Sequence, residues 1–294
     1  MTATFPLIPR RRVLGLPFGG LHSIRRGLGS DVASSRPYQP GDDVGRIDWN
    51  ASARLSLARG TEEFVVREHY AEEAPRVVVL GDRRPSMSVF PEGWPWLCKP
   101  RALREAAALI GASASAARGL LGALDEAEGV TRWRPPRSEH ELVELDGSPH
   151  FTAPEDTVER GLGFLYEQRR DLPAGSFVFV LSDFLAAGYE KPLKILRRRH
   201  DVVAIPISDP LETALPDRGL VRLRDAETGL TRVFDAGDPA FRAAWQKRGQ
   251  PFPEPAEVFR SSGVDSIPLT TDAPYERALV RFFKERERRR SAGR

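Results

Sequence analysis

The chain has 294 residues, of which 40% are hydrophobic and 29% are charged, enough for one large α/β domain with an appendage. Its 44 basic and 41 acidic residues leave a net charge of only +3, which does not by itself indicate a nucleic-acid-binding protein. The single cysteine excludes an intramolecular disulfide and any multi-cysteine metal site. Neither a signal peptide nor an apolar run of the roughly 18 residues that span a bilayer is evident, so we expect a cytoplasmic protein.

The chain has two regions that differ in composition and in hydrophobic pattern. The first 75 residues are rich in Gly, Pro, Arg and Asp and predict an irregular or partly β segment. From Arg76 onward, short β-branched runs alternate with helical patterns, and residues 76–290 form the second region. We predict strands at 76–80, 119–124, 129–134, 177–181, 201–207 and 264–269, and helices at 101–118, 155–170, 189–199, 239–248 and 274–290. This alternation predicts an α/β fold with a doubly wound, mostly parallel sheet, interrupted by a β-hairpin at about 216–235.

Acidic and hydroxyl residues follow three of the predicted strands. In open α/β sheets, ligands bind beyond the carboxyl ends of the strands, which here are followed by residues 82–88, 182–183 and 208–209. Such an oxygen-rich set suits a hard cation such as Mg²⁺. The candidate metal ligands are Asp82, Ser86 and Asp183, and the wider candidate binding set adds Ser88 and Asp209. Each aspartate, taken alone, could equally cap the helix or turn that follows it.

The same residues carry a family resemblance. The stretch from Asp82 to Ser88 resembles the Asp-x-Ser-x-Ser metal-ion-dependent adhesion site of von Willebrand factor A domains, and residues 181–184 resemble their second aspartate strand end. The stretch Tyr38-Gln-Pro-Gly-Asp-Asp-Val-Gly-Arg-Ile-Asp-Trp-Asn-Ala-Ser-Ala-Arg54 resembles the hallmark of the family called domain of unknown function 58, as do residues 66–68 and 209–212. The resemblance extends from about Gly20 to Leu269. It implies a von Willebrand factor A-like (Rossmann-like) protein that acts as an adaptor of MoxR-type AAA+ ATPases.

The sequence departs from the metal-site pattern at Arg84, which stands where the first serine ligand is expected. A guanidinium is permanently charged and cannot coordinate a metal ion. If Arg84 turns inward, its charge replaces the cation between Asp82 and Asp183, and if it turns outward, a weakened metal site survives. The resemblance also implies a threonine ligand before a helix, for which Thr152 and Thr157 are candidates, with Asp156 at the better aligned position. Mg²⁺ is therefore a possible cofactor but not a certain one.

Two interpretations apply to the hallmark segment. Its dense polar residues favour an internal network of turns, caps and salt bridges. Alternatively, the segment is a docking surface with Trp49 as its aromatic anchor and Arg46 or Arg54 as polar contacts. The residues in question are Tyr38, Pro40, Gly41, Asp42, Asp43, Arg46, Asp48, Trp49 and Arg54.

Three other functional classes are less well supported by the residues. A nucleophilic hydrolase is disfavoured, because the chain has no Gly-x-Ser-x-Gly elbow and its five histidines are scattered. A metal-dependent phosphoesterase using Asp82 and Asp183 would need more strand-end ligands than the chain offers. A weak nucleic-acid binder could use the arginine clusters at 10–12, 197–199 and 286–290, but no aromatic residues interleave them. We therefore expect a non-enzymatic adaptor that binds a MoxR-type AAA+ ATPase, or a client of that ATPase, through the strand-end loops.

Overall fold

The computed structural model describes residues 4–9, 26–70, 74–88, 98–138, 150–215, 217, 219–248 and 254–292. The chain divides into two compact units, Pro9–Pro75 and a larger unit that combines Met1–Ile8 with Arg76–Arg294. Residues 4–8, which the sequence analysis assigned to the N-terminal segment, therefore group with the α/β domain. The physical reason is hydrophobic: Phe5 and Leu7 are buried, and the Phe5 ring stacks on Phe283 with centroids 4.7 Å apart.

The smaller unit combines an antiparallel strand pair with one helix. Its elements are β1 (Arg26–Pro37), a 3₁₀ turn (Val44–Arg46), α1 (Trp49–Arg59) and β2 (Val65–Tyr70). Helix α1 begins because the Asp48 carboxylate accepts a hydrogen bond from Ala51 N at 3.0 Å. It ends at Gly60, whose φ of 69° is the left-handed conformation that terminates many helices. The sequence analysis did not predict this helix.

The larger unit contains the predicted alternation of strands and helices. Its elements are β3 (Arg76–Gly81), α2 (Lys99–Ala116), β4 (Leu120–Ala127), β5 (Val130–Arg137), α3 (Thr157–Glu167), β6 (Phe177–Ser182), α4 (Glu190–Arg199), β7 (Asp201–Ser208), α5 (Pro210–Thr213), β8 (Leu220–Arg224), β9 (Thr231–Asp235), α6 (Pro239–Arg248), α7 (Pro255–Ser262), β10 (Asp265–Ser266), β11 (Leu269–Thr270) and α8 (Tyr275–Ala292). The predicted last strand is divided into β10 and β11, because Pro268, which has no N–H to donate, lies between them. Helix α7 was not predicted.

The central sheet confirms the predicted fold class. Its strands lie in the order β5-β4-β3-β6-β7-β10, with β11 also pairing with β7, and all pairs are parallel except β4 with β5. If these six strands are numbered by their order along the chain, their order across the sheet is 3-2-1-4-5-6, that of the doubly wound fold. The order reverses between β3 and β6, whose last paired residues are Gly81 and Leu181. Asp82 and Asp183 follow at this switch point, the expected ligand-binding position.

Helices cover both faces of the sheet. On one face, Val78 and Val180 belong to a buried cluster with Leu162 of α3, Leu193 of α4 and Phe259 of α7. On the other face, α2 packs on α8 and on the sheet, and the Phe179 and Phe283 ring centroids are 6.1 Å apart. Strands β3 and β6 are consequently buried on both sides, which explains their continuous apolar sequences.

The insertion between β7 and α7 is the predicted β-hairpin, extended by a helix. Strands β8 and β9 pair antiparallel, and Phe234 stacks on Phe241 of α6 with centroids 4.7 Å apart. The indole Nε1 of Trp245 donates a hydrogen bond to Leu211 O at 3.1 Å, which attaches α6 to the base of the insertion. Within the described part of the chain, no helix is both long enough and apolar enough to cross a membrane.

Candidate functional site

The switch point is occupied by a buried ion cluster. Nη2 of Arg84 lies 2.7 Å from Oδ2 of Asp82 and 2.5 Å from Oδ1 of Asp183, and all three side chains are almost inaccessible to solvent. Nε of Arg84 makes a further hydrogen bond of 3.0 Å to Asp82. Of the two orientations considered for Arg84, the structure therefore has the inward one, with the guanidinium between the two carboxylates.

A second buried cation, Lys99, completes the cluster. Its Nζ lies 3.2 Å from Oδ2 of Asp183, forms an ion pair with Glu212, and donates to the backbone carbonyl of Ser86 at 3.3 Å. Lys99 is the first residue of α2, and its side chain has no exposed surface. The sequence analysis missed both Lys99 and Glu212. The only sequence signal is weak: a lysine in the first helical turn is unfavourable to the helix dipole and therefore needs another reason to be there.

The electrostatics keep this cluster ionised. Burial alone would raise the pKa of Asp183, but Lys99 and Arg84 lower it, and the net effect is a lowered pKa. Burial likewise disfavours the charged forms of Lys99 and Arg84, yet their carboxylate partners raise both pKa values. Burial raises the pKa of Glu212 despite the opposing effect of Lys99. The ionised forms of Asp183, Arg84 and Lys99 are thus stabilised by the opposite charges around them.

The loop after β6 is fixed by this cluster and presents a hydrophobic side chain. Ser182 Oγ donates to Asp82 at 2.6 Å and accepts from Phe184 N at 2.9 Å, and Asp183 Oδ1 accepts from Leu185 N at 3.1 Å. Phe184 is buried with φ of 54°, an uncommon conformation for a bulky residue and one often found at functional sites. Leu185 is 47% exposed, directly beside the buried charges.

The remaining strand-end candidates have mainly local roles. Asp209 caps α5 by accepting a hydrogen bond from Leu211 N at 2.8 Å, and the Glu212 carboxylate accepts one from Asp209 N. The hydroxyl of Thr271 also donates to Asp209 at 2.7 Å. Among the described residues, Asp209 therefore joins the cluster through Glu212. Ser88 donates to Pro85 O at 2.7 Å within its own 3₁₀ turn.

Ser86 differs from these residues because its Oγ is buried without a hydrogen bond of good geometry among the described residues. It nevertheless lies near enough to Asp183 to help lower the pKa of that carboxyl.

The candidates for a third metal ligand make their contacts elsewhere. Thr157 Oγ1 donates to Glu126 at 3.0 Å, Thr152 Oγ1 accepts from Glu128 N at 2.9 Å, and Asp156 pairs with Arg160 at 3.2 Å. The two threonine contacts connect the residues around the start of α3 to the end of β4 and to the turn that follows it. Across the described residues, no group of three or more His, Cys, Asp or Glu is arranged to hold a metal ion.

The apex of the inserted hairpin lies within electrostatic reach of the cluster. Burial raises the pKa of Glu227, Arg84 lowers it, and Asp225 and Asp183 are among the groups that raise it. The turn is well ordered, because Asp225 Oδ1 accepts hydrogen bonds from the N–H and the hydroxyl of Thr228 at 2.7 and 2.9 Å. The sequence analysis predicted the hairpin but not its relation to the switch point.

The acidic residues of the hallmark segment are engaged in local contacts. Asp42 binds Arg36 through two hydrogen bonds of 2.6 and 2.7 Å, and with Gln39 N these lower its pKa to about 2. Asp43 caps the 3₁₀ turn, with Arg46 at 3.8 Å, and Asp48 caps α1 while binding Arg67 at 2.8 Å. Gly41 has φ of 103°, as the turn after Pro40 requires.

The aromatic residues of the same segment form a partly exposed group. Trp49 is 60% exposed and meets Phe64 edge-on at 6.0 Å, and Phe64 meets Tyr38 at 6.5 Å. Arg54 is exposed on α1. These positions are compatible with the docking interpretation of Trp49 and Arg54, which stays a prediction.

Several buried ion pairs were not foreseen. Arg286 lies between Asp201 and Asp265 at 3.0 and 2.6 Å, and it also donates to Ile8 O at 2.9 Å. Arg286 is therefore held in buried ion pairs and is not available for phosphate contacts, whereas Arg288 and Arg289 of the same 286–290 cluster are exposed. Arg197 Nε donates to Gly263 O at 2.7 Å, and the 10–12 cluster lies outside the described residues. Arg83 forms another buried pair with Asp125 at 2.6 Å, beside the switch point.

Sequence comparisons identify relatives that cover almost the whole chain. The family described as Protein of unknown function DUF58 matches residues 34–251. An uncharacterised protein of Mycobacterium bovis and one of Mycobacterium tuberculosis are each 31% identical over 297 residues, which span 99% of this chain and 90% of each relative. An uncharacterised protein of Mycobacterium avium is 41% identical over 120 residues, 39% of this chain and 69% of its own.

Structural comparison returns more distant similarities. An aerotolerance-related membrane protein from Bacteroides fragilis aligns over 74% of this chain and 100% of its own, with 13% identity and a TM-score of 0.43. The SpRpn10 VWA domain aligns over 70% of this chain and 94% of its own, with 9% identity and a TM-score of 0.38. The fold class is established by the strand order of the sheet itself.

Proposed function

Since this chain belongs to the family described as Protein of unknown function DUF58, we propose that it is a non-enzymatic adaptor that binds a protein partner through the switch-point loops. The observation that carries the proposal is the buried ion cluster of Asp82, Arg84, Asp183 and Lys99 beside the exposed Leu185. Binding sites need contact residues that are held in place by a locked supporting shell, and here the buried ion cluster supports the loop that presents Leu185.

The state of the charges favours binding over catalysis. General acid–base catalysis needs a group that reaches substrate and exchanges protons near neutral pH. Asp183 is buried and its pKa is lowered, while the pKa values of Arg84 and Lys99 are raised, so these groups hold their charges across the neutral range. The cluster is therefore suited to fixing the shape of the loop.

We infer the partner from the family resemblance. It implies a MoxR-type AAA+ ATPase, or a client of that ATPase, whose acidic or polar group meets the switch-point loops. The relatives named above are uncharacterised, and the support for this partner is the resemblance alone.

The proposal can be tested with matched leucine variants. Leu185→Asp places a charge beside the cluster, and Leu57→Asp makes the same change on α1, where Leu57 is 85% exposed. With a purified MoxR-type ATPase from the same organism, we expect Leu185→Asp to weaken binding at least about tenfold, or 1.4 kcal/mol, in biolayer interferometry. Leu57→Asp should stay within about twofold.

The opposite ranking of the two variants would move the binding surface to the hallmark segment around Trp49. Equal and negligible effects, or no binding by the wild type, would contradict the proposed function. Circular dichroism of both variants controls for loss of fold.

A further inference from the structure

The two aspartates at the switch point are matched by two buried cations, and Glu212 contacts Lys99 from the partly exposed edge of the cluster. Asp82 and Asp183 contribute two negative charges, and Arg84 and Lys99 contribute two positive charges that contact them. Two side-chain cations thus supply the charge of one divalent ion. Lys99 belongs to α2 and Arg84 to the loop after β3, so the two cations come from different elements.

The donor set as it stands does not fit a divalent cation. Oδ2 of Asp82 accepts from Arg84 Nη2 and from Ser182 Oγ, while Asp183 accepts from Arg84 through Oδ1 and from Lys99 through Oδ2. The carboxylate oxygens that would face an ion are therefore already bound by N–H or O–H donors. Neither a guanidinium nor a protonated ammonium has a lone pair with which to coordinate a metal.

We propose that Arg84 and Lys99 together take the place of a divalent ion, so that the switch-point loops are ordered without metal. This property of the site does not depend on which partner binds it. It further implies that the oxygens beneath the two cations form a latent cation site, to which Ser86 contributes a buried hydroxyl without a good hydrogen bond among the described residues. Carboxylate and hydroxyl oxygens are the ligands that hard cations prefer.

The test is a Mn²⁺ titration of chelator-treated protein, in which the free ion is counted by electron paramagnetic resonance. We compare the wild type with Arg84→Ser/Lys99→Met, which removes both cations and restores a serine at position 84. Arg59→Ser is the matched control, because Arg59 forms an exposed ion pair with Glu63 at 3.0 Å. The double variant should bind one Mn²⁺ per chain with a dissociation constant below about 1 mM, within the range of weak protein sites. The wild type and Arg59→Ser should bind none in that range.

Thermal unfolding gives an independent readout. At a Mn²⁺ concentration about 100 times the dissociation constant, the Tm of the double variant should rise by roughly 5 °C or more. A wild-type site that binds one Mn²⁺ and loses it in Asp82→Asn would overturn the proposal, as would a folded double variant that binds no ion. If the double variant does not fold, Arg84→Ser alone is titrated in its place and is also expected to bind one Mn²⁺ per chain. The wild-type titration tests the proposal whichever variant is used.

Discussion

Replacement of Lys99 by methionine tests the buried cluster most directly. Methionine has nearly the same length and shape but no charge, so Asp183 loses one of its two cations and Glu212 loses its ion pair. Removing one partner of a buried ion pair typically costs about 3–5 kcal/mol. Arg84 remains bound to Asp183, and a quarter of the Glu212 side-chain surface is exposed to water. We therefore expect a loss of free energy of unfolding at the lower end of this range, about 3 kcal/mol.

The assay is urea unfolding followed by circular dichroism, with Lys194→Met as the control. Lys194 is exposed on α4, and its replacement should change the free energy of unfolding by no more than about 0.5 kcal/mol. For a domain of this size, a loss of 3 kcal/mol corresponds to a fall in Tm of roughly 6–12 °C. If Lys99→Met costs less than about 1 kcal/mol with an unchanged m-value, Lys99 does not stabilise the cluster and the reasoning fails.

The pH dependence of this variant has a defined sign. The pKa of Asp183 is lowered in the folded protein, so its ion pairs stabilise the fold above pH 3.8, the ordinary pKa of this carboxyl, and this stabilisation is lost as the pH falls further. In Lys99→Met part of that contribution is already absent. The difference in unfolding free energy between wild type and variant should therefore shrink as the pH is lowered from 7 toward 3.

Three further predictions concern the surrounding fold. His200 is buried, has no hydrogen-bond partner for either ring nitrogen among the described residues, and has its pKa lowered to about 4 by burial and Arg199. As the pH falls, His200 is therefore protonated in the unfolded chain before it is protonated in the folded protein. The free energy of unfolding should fall by up to roughly 3 kcal/mol as the pH drops from about 6.5 to 4. In urea titrations, His200→Leu should abolish this pH dependence. Gly122→Ala should lower the free energy of unfolding by about 1–3 kcal/mol, because an added Cβ would lie 2.6 Å from Arg134 O, and an unchanged urea midpoint would contradict this close approach. Deletion of residues 1–8 should reduce Tm by several degrees, because Phe5 and Leu7 lose burial worth about 1.5–3 kcal/mol each, and a synthetic peptide of these residues should restore part of the loss.

The sheet was predictable because its strands are buried on both faces and so read as continuous apolar runs. Strand β6, with every residue buried, illustrates this. Helix α1 was missed because its sequence mixes polar and apolar residues without a clear stripe, and its start depends on the Asp48 cap. The position of Phe5 in the α/β domain could not be predicted, because its ring stacks on Phe283 of α8, near the other end of the chain.

The candidate site was only partly predictable, for a related reason. Strand order brings Asp82 and Asp183 together, and the carboxyl ends of predicted strands are visible in a sequence. Lys99 is separated from Asp183 by 84 positions, and Arg286 is separated from Asp201 by 85. A charged residue in a sequence is normally taken to be exposed, and its burial becomes evident only when a distant partner is placed beside it.

The chain of buried contacts from Asp82 to Asp209 also limits how the switch-point loops can be regulated. It links β3, β6, α2 and α5 through Arg84, Lys99 and Glu212, so a movement of the loop that presents Leu185 would have to separate charges that are poorly solvated. Loops whose order depends on a dissociable metal can be loosened by removing the ion, but loops held by covalently attached cations cannot. Any control of the surface around Leu185 is therefore expected to act through groups outside the cluster and not by separating its charges.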